Sequence, residues 1–305
     1  MSAIRLGTRR SALALAQARQ VADALTEVSG RQVELVLITT DGDVSRASLA
    51  SLGGTGVFVS ALRDALANGT VDIAVHSLKD LPTAAAPGLE VVALPKRADP
   101  RDALVARDLH TLASLPQGAQ VGTGSPRRAA QLKALRPDLA IVDIRGNIDT
   151  RLGFVTGGAL DAVILAQAGL ARLGRLDVVT EAIDPDIMLP APGQGALAVE
   201  ARIDALDDEL QTSLRSLDDS ATRAAVTAER AVLSALEAGC SAPVGALAVV
   251  DEPGFHEPEL ALEALVATTD GTTVKRLSIT APLTDAETAG RQLAARLLGE
   301  GVVVS

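Results

Sequence analysis

Aromatic residues are nearly missing from these 305 residues: there are three Phe, no Tyr and no Trp. Single-stranded nucleic acid therefore has almost no ring to stack on, and a net charge of −10 repels phosphate backbones. Cysteine is also scarce. One residue, Cys240, allows no internal disulfide and no cysteine-built zinc site, which points to a reducing compartment. Three scattered histidines, His76, His110 and His256, suggest structural roles rather than a metal site. No apolar run reaches membrane-spanning length, and the first residues lack the basic-then-apolar form of a signal peptide. The expectation is a cytoplasmic globular protein that binds neither nucleic acid nor membrane.

Aliphatic residues supply the core instead, since 48% of the chain is apolar. The length suits two or three domains, each with its own core. Acidity is uneven: residues 218–305 carry 13 acidic and 6 basic side chains, whereas 1–217 carry 25 and 22. The first two-thirds thus has room for local positive patches.

Strand-like and helix-like stretches alternate from the N-terminus. Ile4 to Leu6 reads as a strand, followed by a helix from about Ser11. Val33 to Ile38 is a nearly unbroken apolar run of the kind buried on both sheet faces. Gly53-Gly54-Thr55-Gly56 precedes a helix carrying Phe58, Leu62 and Leu66. The alternation resumes after Pro100, with helices expected near Ser125, Asn147 and Ala168. From Ser220 a long helix, three strand-like runs and a final helix indicate a small α+β domain. Proline-bearing crossings near 95–101 and 189–196 divide the rest into two α/β lobes flanking a cleft. The expected domains are 1–95 with 196–215, then 101–189, then 218–305.

Arginine recurs where strands turn into helices: Thr8-Arg9-Arg10-Ser11, Gly124-Ser125-Pro126-Arg127-Arg128, and Arg145-Gly146-Asn147 with Thr150-Arg151. A cation in a first helical turn faces the positive end of the macrodipole and costs about 0.3–1 kcal/mol. One such arginine is readily an ion-paired surface residue. Three in an acidic chain imply an anionic ligand, with carboxylate and phosphate both open. Gly122-Thr123-Gly124 lacks the third glycine of a dinucleotide fingerprint, and the 53–56 glycines lack the Lys-Ser/Thr of a P-loop, so nucleotide binding is disfavoured.

His76-Ser77-Leu78-Lys79-Asp80-Leu81-Pro82 crowds several acid–base groups behind a buried strand. Asp80 could serve catalysis there, or simply form a turn or pair with lysine. Cys240, in a glycine-flanked turn after the long helix, could equally be a small buried hydrophobe or a reactive thiol.

Taken in order, these segments, together with Gly193-Gln194-Gly195-Ala196, Ala228-Glu229-Arg230 and Gly239-Cys240, resemble the hydroxymethylbilane synthase (porphobilinogen deaminase) family over essentially the whole chain. The resemblance implies two lobes like type 2 periplasmic binding proteins, plus a C-terminal domain presenting a cysteine. It implies a monomeric transferase that joins four porphobilinogen molecules head to tail, releasing ammonia each time. The chain grows on a dipyrromethane primer held by a thioether to Cys240 and is hydrolysed off as hydroxymethylbilane. Asp80 is implied as the catalytic acid, stabilising the cationic azafulvene. Lys79, Asp80, Ser125, Arg127, Arg128 and Arg145 are implied to hold the cofactor. Arg9, Ser11, Gln17, Phe58, Ser77, Arg151, Arg172 and Gln194 are implied to hold substrate, Phe58 as a lid aromatic. Every pyrrole ring carries an acetate and a propionate, which would account for arginine clusters in an acidic protein. Ser51, Thr55 and Ser60 stand where many members carry lysine, and Gly124 and Pro126 replace commoner residues in the arginine turn. The competing expectation is a small-anion receptor on the same architecture.

Overall fold

A computed structural model describes residues 3–39, 56–238, 242–251 and 258–301, the side chains of 56–58 excepted. In chain order the first strands and helices are β1 (Ile4–Thr8), α1 (Ala12–Ser29), β2 (Val33–Leu37), α2 (Gly56–Ala67), β3 (Ile73–Ser77) and β4 (Glu90–Ala93). There follow β5 (Asp102–Ala106), β6 (Gln120–Gly122), α3 (Pro126–Leu135), β7 (Ala140–Val142), α4 (Ile148–Thr156), β8 (Ala162–Ala166), α5 (Gln167–Arg172) and β9 (Glu181–Ile183). The chain continues through β10 (Leu197–Ala201), α6 (Asp208–Leu217), α7 (Ser220–Ala235), β11 (Val244–Val250), β12 (Glu259–Ala267), β13 (Val274–Pro282) and α8 (Ala286–Gly299).

The chain divides into two compact units, 1–98 with 196–223, and 99–195 with 224–305. The first holds a five-stranded sheet in the order β2-β1-β3-β10-β4. β1 pairs in parallel with β2 and β3, while β10 runs antiparallel to both β3 and β4. Period-two alternation sorts its side chains. Ile73, Val75, Leu197, Val199 and Ala201 face a core with α1 and α6, while Ala74 faces Leu62 and Leu66 of α2. α1 starts where it does because Ser11 accepts a hydrogen bond from the Ala14 N–H, and it stops at Gly30 in the left-handed region.

The second unit repeats this topology with unrelated residues, in the order β7-β6-β8-β5-β9. Here β6 is parallel to β7 and β8, and β5 is antiparallel to β8 and β9. The same unit contains the antiparallel sheet β11-β12-β13, with α7 and α8 packed into one aliphatic core with β11 and β12. Ala130 of α3 and Leu189 join Leu247, Leu265 and Ala267 of that sheet in a further cluster. Among the described residues no helix is long and apolar enough to cross a membrane.

Candidate functional site

In the first unit, strand β3 ends at Ser77 and the chain turns at once through a 3-10 turn, Leu78–Asp80, closed by the Leu81 N–H bonding the Leu78 carbonyl. Leu78 is buried and its N–H donates to the Ala196 carbonyl at 3.0 Å, so the turn is fastened at its apolar side. Lys79 and Ser77 are half-buried and Asp80 is exposed. Among the described residues nothing hydrogen-bonds or ion-pairs with the Asp80 carboxylate. It is an anion presented on a fixed turn. Arg9 is half-buried just beyond β1, Ser11 caps α1, and Gln17 lies buried on that helix. α2 contains Phe58, whose side chain lies outside the described residues, as do Ser51 and Thr55.

Behind that turn is a polar cluster that inspection of the sequence misses. Glu200 of β10 is 2% exposed, yet Arg63 of α2 grips it through Nε at 3.0 Å and Nη2 at 2.8 Å, and His76 Nε2 lies 3.2 Å from its other oxygen. Burial opposes ionisation of Glu200, but its neighbours His76 and Arg63 outweigh it and hold the carboxyl below its usual range; Arg63 donates to both oxygens, whereas His76 Nε2 approaches without the alignment of a hydrogen bond.

The second unit contains the arginine turns. Ser125 caps α3 by accepting the Arg128 N–H, and Pro126 occupies the first turn, where no N–H is needed. Gly124 is required by close approach: a Cβ there would lie 2.5 Å from the Ile144 carbonyl oxygen. Arg127 and Arg128 are almost wholly buried, with 3% and 5% of their surface left exposed. Both pair with Asp102, the fully buried first residue of β5, at 2.8 and 2.7 Å. Arg128 also donates through Nη1 to the Ile164 carbonyl, and Arg127 through Nη1 to that of Leu189. Part of the anion that relieves this basic first turn is therefore the chain's own Asp102; the pairing open to any single arginine is made here, with a buried carboxylate rather than a surface one. Desolvation of Asp102 is outweighed by the two guanidinium charges, which push its carboxyl far below the ordinary value.

One carboxylate does not neutralise two guanidiniums, and Arg127 Nε is buried with no hydrogen-bond partner among the described residues. Arg151 at the start of α4 is half-buried, with Nε donating to the Gly146 carbonyl at 2.9 Å. Burial lowers its pKa, and the charges of Arg128 and Arg145 lower it further, with Asp143 alone opposing them. Arg145 is exposed and lies 3.2 Å from Asp143. Arg172 closes α5 rather than opening a helix. It donates to the Gly195 carbonyl at 2.7 Å, and burial lowers its pKa to about 10. Gln194 is 1% exposed, and its amide donates to Asp102 Oδ1 at 2.8 Å and the Pro100 carbonyl at 2.7 Å. Asp102, like Glu200, escaped the sequence reading because a carboxylate inside an apolar strand carries no local motif. Its one signal was its place at the head of a buried run. Cys240 and His256 lie outside the described residues. Among the described residues no group of metal-ligating side chains occurs.

Two family models cover the chain: "Porphobilinogen deaminase, dipyromethane cofactor binding domain" over residues 4–232, and "Porphobilinogen deaminase, C-terminal domain" over 223–299. Porphobilinogen deaminase 1 of Streptomyces coelicolor is 58% identical, across 98% of this chain and 96% of its own. The porphobilinogen deaminase of Thermobifida fusca is 57% identical, across 97% and 93%. Among solved structures, the second substrate binding domain of a putative amino acid ABC transporter from Streptococcus pneumoniae superposes with a TM-score of 0.43 at 13% identity, across 71% of this chain and 93% of that one, a likeness too slight to carry an argument. Identity of this extent over nearly the full length of both chains places the protein in the porphobilinogen deaminase family.

Proposed function

We propose that this chain joins four porphobilinogen molecules head to tail with loss of ammonia, and hydrolyses the product off as hydroxymethylbilane. The first unit supplies the reacting carboxylate, Asp80; the second supplies the cationic pocket for carboxylate-rich pyrroles. The observation that carries this reading is the gathering of positive charge, in which Arg128 and Arg145 act on half-buried Arg151 while Arg127 Nε is buried with no hydrogen-bond partner among the described residues. A cluster short of anions fits a dipyrromethane cofactor, whose rings carry carboxylate side chains; a guanidinium fork matches a carboxylate in two bonds.

Ser125, Arg127, Arg128 and Arg145, with Lys79 and Asp80, would hold that cofactor, and Cys240 would bond it as a thioether. When bound, the cofactor supplies the pyrrole carbon to which the first substrate unit is joined. Arg9, Ser11, Gln17, Phe58, Ser77, Arg151, Arg172 and Gln194 are assigned to the substrate side. Arg151 and Arg172 suit direct ion pairing, since each is half-buried and its burial is relieved by an incoming anion. Gln194 acts through Asp102, whose oxygen its amide engages.

Asp80 works by charge. As the bond to ammonia breaks, positive charge spreads over the pyrrole. A carboxylate fixed on a short turn then accepts the ring N–H and stabilises that charge without reorganising. A reducing compartment, the cytoplasm, keeps the single thiol available for its bond, and the working form is a monomer, as the family resemblance implies.

Asp80→Asn keeps the shape and removes the charge. Its turnover is expected to fall by about 10²–10³-fold, the scale of losing one fixed electrostatic partner of a transition state. Intact mass of the unreduced protein should show an excess of two linked pyrroles, mapped to the peptide containing Cys240. Near-normal turnover of Asp80→Asn, or an unmodified mass in active protein, would overturn the respective assignment.

A further inference from the structure

The cluster of Arg63, His76 and Glu200 takes no part in the chemistry described so far, yet it lies where three elements of the first unit meet. His76 is the next-to-last residue of β3, four positions before Asp80. In the β3–β10 ladder His76 stands opposite Ala198, and Ala74 opposite Glu200. Alternation therefore puts the His76 and Glu200 side chains on one face of the sheet, the face that Ala74 shares with Leu62 and Leu66 of α2. Arg63 belongs to that helix and closes the cluster from the other side.

A buried carboxylate at this place is costly unless it is held on several sides. Glu200 is so held: two nitrogens of Arg63 and one of His76 reach its two oxygens within 3.2 Å. Apolar packing would have sealed this face more cheaply. What an ion-paired cluster adds is direction, because the Arg63 guanidinium fork fixes the carboxylate in orientation as well as position, with the His76 imidazole close against it. The strand end so fixed continues into the turn bearing Asp80, which is otherwise tied to the β10 side of the sheet by the Leu78 N–H on Ala196.

We propose that Glu200 is a positioning residue for the reaction: by holding Arg63 of α2 in hydrogen bonds and packing its carboxylate against His76 of the paired strand β3, it sets the end of β3 and hence the place of the Asp80 carboxylate. The inference rests on the assignment of Asp80 as the reacting carboxylate. Glu200 touches neither substrate nor cofactor. It acts on the transition state, where misplacement of a reacting group by a fraction of an ångström is felt, and not on substrate affinity, which the arginines of the second unit carry.

Three variants test this, with Asp80→Asn alongside and each assayed well below its unfolding temperature. Glu200→Gln and Arg63→Met are expected to lower kcat about tenfold while KM stays within about twofold. Arg63→Lys, which keeps the charge, should regain most of that loss. Hydrogen exchange over the peptide containing Ser77 to Leu81 should quicken in the first two variants. Arg63 reaches the cluster from its more exposed side, so Arg63→Met decides the matter should Glu200→Gln fail to fold. Unchanged kcat in Glu200→Gln and Arg63→Met, or a rise in KM alone, overturns the proposal if Asp80→Asn is inert. Normal turnover of Asp80→Asn instead removes the Asp80 assignment and the inference with it.

Discussion

Arg127 and Arg128 sit in the first turn of α3, where the helix end itself disfavours them, and one buried aspartate makes the arrangement possible. Two guanidiniums on one carboxylate leave about one positive charge in excess, which an anionic ligand can use. Asp80 is the opposite case, exposed and without a partner among the described residues. Arg127 and Arg128 are thus held in place by an ion pair, and Asp80 by the backbone of its turn. Arg151 is already disfavoured by burial and by like charges, so an incoming carboxylate gains most there. Arg151→Met is accordingly expected to raise KM about tenfold, the scale of one charge-assisted hydrogen bond. Arg145 is exposed beside Asp143, and a pair of that kind contributes little. Arg145→Leu should therefore weaken elongation by only about two- to threefold. Steady-state kinetics on both variants check the ranking; equal effects would contradict it.

At the scale of elements, helix starts were legible because capping is local. Ser11, Ser125 and Asn147 each accept an N–H in the first turn, as their positions in the sequence suggest. Strands β9 and β10 and helix α6 were not resolved from the sequence. β10 carries Glu200 in the middle of an otherwise apolar run, and only the distant Arg63 and His76 make that residue compatible with a buried strand. The turn between β12 and β13 docks on α3 at Gly271, whose φ of +75° is open to glycine. A Cβ there would lie 2.7 Å from the Ala130 carbonyl and 2.9 Å from the Ala134 nitrogen, atoms of α3 that cannot swing aside. Lys133 Nζ seals the contact on the Thr269 carbonyl at 2.9 Å. Gly271→Ala should cost about 1–3 kcal/mol through backbone strain and overpacking. A urea midpoint unchanged from the parent would refute this.

At the scale of the molecule, two sheets with the same strand topology each place a buried carboxylate on the corresponding antiparallel strand, Glu200 on β10 and Asp102 on β5. Both carboxyls are held below their ordinary values. A depressed folded value means stability that is present above the unfolded carboxylate range, near pH 4, and lost as pH falls through that range toward the folded value. Urea midpoints should therefore drop as pH is lowered from about 5 to 3, with each group contributing up to about 1.4 kcal/mol per pH unit. Asp102→Asn is expected to be destabilised at pH 7, since removing one partner of a buried ion pair costs about 3–5 kcal/mol. Its deficit against the parent should shrink as the medium is acidified. A deficit independent of pH would show that the Asp102 charge is not what stabilises the second unit.

The sequence by itself determined the alternation of strands and helices, the helix caps, the aliphatic core and the order of motifs that marks the family, because each depends on neighbours within a few residues. It also singled out Asp80 and the arginine turns. Only the tertiary structure decided which arginines are spent on Asp102 and which keep unmatched charge, and that Gln194 faces Asp102. Only there does Glu200 meet Arg63, 137 positions away along the chain. Pairing of buried charges is settled by contacts between distant segments, and no short stretch of sequence records those.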